Sequence, residues 1–169
     1  MKRLNKKLVS LFIALMVTLS MAGVGAAAGY KDDYNAKVKQ NNATIGVIAG
    51  VINYVCPRLV PDSTNICKPK DPVGSAVGVQ KYMEKNWDRE EDDIEDAEMP
   101  AGLKNKTAAL QFWDAVEQFK LHYGYRATAK KLAGQGNWEE AFLNEEMAFQ
   151  YLVKCASRGI FSKKLVDGE

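Results

Sequence analysis

The sequence predicts an all-α fold, a compact helical bundle of about five helices stapled by a disulfide. Three observations predict it. Apolar residues recur at helical spacing nearly throughout, and no alternating apolar–polar run of useful length marks a strand. Hydrophobic residues make up 47% of the 169-residue chain, enough for one sizeable core. Three cysteines, Cys56, Cys67 and Cys155, all lie beyond an export-type leader, where oxidation is favoured.

The leader is residues 1–28. Lys2, Arg3, Lys6 and Lys7 form a positive start, Leu8 to Val17 is apolar apart from Ser10, and small residues end in Ala26-Ala27-Ala28. That is the pattern of a secretory signal peptide cut after Ala28. Its apolar stretch is shorter than the roughly 20 residues of a bilayer span, so no stable membrane span is expected after cleavage. The expected location is periplasmic or secreted, and residues 29–169 form a single helical domain. The whole chain carries 23 basic and 21 acidic residues, but four basic ones belong to the leader, so the exported part has a formal charge of −2. No basic footprint for nucleic acid remains.

The first helix is expected from about Asp33 to Cys56, with Asp32 or Asp33 at its start and Pro57 at its end. Its second half, Ile45 to Val55, is apolar on almost every face and marks the central buried helix, with Gly46 and Gly50 admitting a close neighbour. Four prolines, Pro57, Pro61, Pro69 and Pro72, then mark a rigid loop. Two cysteine pairings are open. Cys56–Cys67 closes a short loop worth roughly 3 kcal/mol in the chain-entropy model, and Cys67–Cys155 is the other. The second helix follows Asp71 and Pro72, a cap and a first position, with Val79, Met83 and Trp87 as its apolar stripe.

An acidic run comes next, from Asp88 through Asp92, Asp93, Glu95 and Asp96 to Glu98. A charge block is ordinarily a solvated face, and its functional counterpart is a negative surface for a basic protein partner. It lacks the register and the glycine of a calcium loop. The third helix spans about Lys106 to Tyr123, with Phe112, Val116, Phe119 and Tyr123 on one face and His122, the sole histidine, beside them. Residues 124–169 form a helical hairpin. Tyr125, Ala129 and Leu132 line one arm, Gly134 and Gly136 break it, and the other arm runs from Trp138 to about Ser157 with Gly159 as its stop. Asn137 and Glu140 suggest a capping box. One unit here is similar to a tetratricopeptide or Sel1-type repeat, with Glu145 where that pattern places an aromatic. Stacked arrays need about three units, so an ordinary helix pair is expected.

No catalytic pattern emerges. His122 has no recognisable nucleophile or ligand set around it, no glycine-rich phosphate loop is present, and the cysteine spacing is not that of a zinc site. No enzyme activity, metal or cofactor is expected.

Gly46-Val47-Ile48-Ala49-Gly50-Val51, Ile66-Cys67-Lys68-Pro69 and Val79-Gln80-Lys81-Tyr82-Met83 together resemble the small periplasmic immunity proteins of the Rap/Tai family, which protect bacteria against type VI secretion amidase effectors. Pro100-Ala101 and the apolar helix Leu110 to Phe119 extend the resemblance over residues 41–120. The chain departs from that family in having Asn86-Trp87 where a proline is usual, in its long acidic insertion, and in residues 124–169, which lie beyond the match. The resemblance implies an all-helical inhibitor, often a homodimer, that occludes the cleft of a secreted peptidoglycan amidase effector. The acidic run supplies the candidate contacts at Asp92, Asp93, Glu95 and Asp96. The alternative is an exported structural or adaptor domain that binds an envelope partner through its terminal hairpin.

Overall fold

Three helices of about thirty residues make the frame. In this computed structural model, which describes residues 29–60, 63–68, 70–86 and 105–168, they are α1 (Tyr30–Leu59), α4 (Lys106–Gly134) and α5 (Trp138–Asp167). The short α2 (Ser63–Ile66) and the fifteen-residue α3 (Pro72–Asn86) lie between the first two. The all-α fold and its disulfide are therefore present. The expected signal peptide at 1–28, Trp87 and the acidic run fall outside the described residues. Among the described residues no helix is long and apolar enough to cross a membrane.

The register of the frame follows from its side-chain contacts. α4 and α5 are antiparallel: Tyr125 stacks on Tyr151, Arg158 bonds Gln111, and Ser162 donates to the Ala108 carbonyl. α1 and α5 run parallel along their whole length. Tyr30 meets Phe142, Asn41 meets Glu145, and Tyr54 donates to Asp167 at 2.7 Å. One core fills the space between them and α3, built on Ile48, Ile52, Leu59, Met83, Phe112 and Phe119. Each such side chain contributes on the order of 1.5–3 kcal/mol by leaving water.

Local chemistry accounts for the element ends, and several differ from expectation. α1 begins at Tyr30, so Asp32 and Asp33 sit inside its first turn, where negative charge complements the helix dipole, and Gly29 takes the cap position. Pro57 does not end α1. It stands within the last turn, where its missing N–H forfeits a single bond, and the helix closes two residues later with Val60 N–H on the Cys56 carbonyl. At α3 the expectation holds: Asp71 Oδ1 accepts from Gly74 N–H at 2.8 Å, and Pro72 is the first residue.

The third helix and the first hairpin arm are one element. α4 runs unbroken from Lys106 through Tyr123 to Gly134, because nothing between Tyr123 and Tyr125 but an exposed glycine interrupts it. The hairpin thus begins at residue 106, and Gly136 with φ 82° makes its turn. Asn137 precedes α5 without a side-chain capping bond, so the predicted capping box does not form.

Two further corrections concern glycine. Gly159 does not stop α5, which continues to Asp167 and ends on Gly168 in the left-handed conformation. Gly159 is instead buried where α5 meets α1, and a Cβ there would lie 3.2 Å from Val51 Cγ1. Conversely, Gly46 and Gly50 are exposed and meet no described atom within 4 Å, so the close helix approach falls on Gly159. The Gly46–Gly50 side of α1 is its outer face, with Val47 40% exposed, while Ile48, Ile52 and Val55 point inward.

Candidate functional site

The sequence places the contact surface on Asp92, Asp93, Glu95 and Asp96, which lie outside the described residues. The structure does describe both points where the chain enters and leaves that segment. On the entry side, Asn86 ends α3 and donates from Nδ2 to the Tyr82 carbonyl at 2.7 Å. On the exit side, Asn105 caps α4 by accepting from Ala108 N–H at 2.9 Å and donates to the Leu165 carbonyl on α5. Val79 and Met83 anchor α3 in the core, and Ala108 and Phe112 anchor α4. Both ends of the acidic segment therefore leave from packed helices.

The disulfide joins Cys56, in the last turns of α1, to Cys67, just past α2, with Cα atoms 5.9 Å apart. It settles the open pairing in favour of the short loop. Cys155 is a free, buried thiol, and burial pushes its pKa up to about 12. Cys155 lines a small apolar void together with Ile48, Phe112, Val116 and Gly159. A thiol held so firmly in its protonated form is a poor nucleophile.

Opposite the disulfide end lies a buried polar cluster that joins α1, α4 and α5. Glu145 is 1% exposed, yet its carboxylate is satisfied: Arg126 Nε lies 2.9 Å from Oε1, and Asn41 Nδ2 donates to the same oxygen at 2.8 Å. Arg126 also bonds Asn42, which ties the pair to α1 a second time. One turn away, His122 is fully buried with its ring 2.9 Å from the Ala148 carbonyl through Nδ1. A carbonyl only accepts, so Nδ1 carries the proton. Burial holds the imidazole pKa at about 4, against the Ala148 bond, and the nearby Arg126 charge pushes in the same direction.

This cluster acts as a cross-brace. Glu145 is neutralised by Arg126 and sealed from solvent, and His122 is committed to a backbone carbonyl of α5. Among the described residues no group of three or more His, Cys, Asp or Glu side chains is placed to hold a metal ion. The sequence carried one sign of the cluster, the acid at Glu145 where a repeat-like helix has an aromatic. It carried none for Asn41 or Arg126, whose partners are about a hundred and about twenty residues distant.

Comparison of the chain with family models, with curated proteins and with solved structures finds no match.

Proposed function

We propose that the chain is an exported helical binding protein that inhibits a peptidoglycan amidase effector by occluding its cleft, in the manner of the Rap/Tai immunity proteins it resembles. The acidic segment containing Asp92, Asp93, Glu95 and Asp96 makes the contacts. The observation that carries the proposal is the anchoring of that segment at Asn86 and Asn105, on two helices packed into one core. Holding both ends of a charged segment lowers the ordering cost of binding, and its carboxylates steer a basic cleft toward it. The Cys56–Cys67 disulfide fits an oxidising compartment and with it the signal peptide assigned to residues 1–28.

The test is co-purification of the exported chain with the secreted amidase encoded beside its gene, together with hydrolysis of peptidoglycan fragments by that amidase. Stoichiometric inhibition and a stable complex are expected. An amidase that neither binds nor slows contradicts the proposal.

A further inference from the structure

Helix α1 changes character at Gly46. Over residues 30–45 its buried side chains are Asn41 and Thr44, both polar, whereas beyond Gly46 they are Ile48, Ile52, Val55, Cys56 and Leu59. The second half is thus fixed by the apolar core and by the disulfide. The first half lies on α5 through the tips of its side chains. Tyr30 donates to Glu139 at 3.1 Å, Lys37 pairs with Glu146 at 2.6 Å, and the Tyr34 and Trp138 rings stand 6.0 Å apart. Its buried anchor across the interface is Asn41, which donates to both the carboxylate and the carbonyl of Glu145. Thr44 Oγ1 turns back to the Gln40 carbonyl of its own helix. Between the two halves stand Gly46 and Gly50, exposed and meeting no described atom within 4 Å. Glycine is, after proline, the residue that least favours a helix interior.

We propose that residues 30–45 form a releasable strap, hinged at Gly46 and Gly50, that covers the aromatic face of α5 and detaches while the rest of the molecule stays folded. The contacts divide in the way such a device requires. Glu145 keeps its ion pair with Arg126 when the strap leaves, because both belong to the α4–α5 hairpin, so no buried charge is stranded. The His122 bond to the Ala148 carbonyl and the Tyr125–Tyr151 stack also lie within the hairpin and survive. What is lost is the Asn41 pair of hydrogen bonds, the Arg126 bond to Asn42, the Lys37–Glu146 pair and the edge contacts of Tyr30 and Tyr34. Release uncovers Trp138, Phe142 and Phe149, which now meet Tyr34, Tyr30 and the Lys37 ammonium. Once detached, a segment this short is a marginal helix in water and melts, so its amides lose protection together. The inference uses none of the acidic segment and is independent of the amidase reading.

The test is amide hydrogen exchange of the isotope-labelled exported chain, residue by residue, with and without low denaturant. The amides of residues 34–45 are expected to exchange at one common rate, at least about a hundred-fold faster than those of Ile52 and Val55, and with little denaturant dependence. Protection is expected to step up at the glycines. Asn41→Ala is expected to speed exchange of the strap about ten-fold while Ile52 and Val55 keep their rates. Lys37→Ala, a surface change, is expected to speed it about two-fold. Gly46→Ala with Gly50→Ala is expected to slow it several-fold. A smooth gradient of rates inward from Tyr30 overturns the proposal, because it marks ordinary fraying of a helix end. So does a single rate shared by residues 34–59, or an Asn41→Ala effect equal on both halves.

Discussion

His122 and Cys155 are both titratable groups held neutral by burial, and each yields a test at the level of a single side chain. The imidazole pKa is about 4 in the folded chain and near 6.5 when unfolded. Between those values the unfolded state binds more protons, so stability rises with pH there, is fully present above about 6.5, and is lost as pH falls toward 4. The linkage amounts to at most about 3 kcal/mol. Denaturant unfolding across this window is expected to show a slope that His122→Gln reduces. For Cys155, alkylation at pH 8 is expected to leave the native chain untouched and to label one thiol after denaturation. Glu145→Ala leaves Arg126 and Asn41 facing an empty buried position, and a loss of about 3–5 kcal/mol is expected in equilibrium unfolding. These residues were only faintly legible in the sequence. An acid or an imidazole on a helix gives no local sign of burial, because its partner is set by how the helices align.

At the scale of elements, the two kinds of glycine make opposite predictions. Gly159 sits where α5 approaches Val51, so Gly159→Leu is expected to cost about 1–3 kcal/mol through overpacking. Gly50 faces open space within a helix, so Gly50→Ala is expected to add about 0.4–1 kcal/mol by restricting the unfolded chain and favouring helix. Thermal melts of the two variants, moving in opposite directions, check both. The same contrast explains what the sequence could show. Asp71 with Pro72 states a helix start in local chemistry, and it holds, whereas the cap at Asn105 emerges only in the structure. Pro57 and Gly159 look like helix ends by the same rules. Packing of Leu59 into the core, and of Leu165 and Val166 against it, carries both helices past them. The join at Tyr123–Tyr125 was missed for a related reason, since a lone exposed glycine costs a long helix only about 1 kcal/mol.

Across the whole molecule, the Glu145 cluster ties the three long helices at one end, while at the other the disulfide ties α1 to the segment between α2 and α3, with α3 laid against α1 and α4. Reduction alone is expected to lower unfolding free energy by about 3 kcal/mol, because the Cys56–Cys67 link closes an eleven-residue separation. The denaturant midpoint with and without dithiothreitol reads this directly. The fold class, one core and one short-loop disulfide were legible because periodicity and cysteine spacing are properties of the chain itself. The parallel run of α1 along α5 was not, since it is set by contacts about a hundred residues apart. In the account developed above, this frame exists to hold the acidic segment between Asn86 and Asn105. The most direct measurement is the association rate between the exported chain and the neighbouring amidase at several salt concentrations, for the natural sequence and for a variant with Asp92→Asn, Asp93→Asn, Glu95→Gln and Asp96→Asn. The account predicts that neutralisation slows association about ten-fold or more at low salt and flattens the salt dependence, with the fold unchanged. Equal rates and equal salt dependence for the two proteins would contradict it.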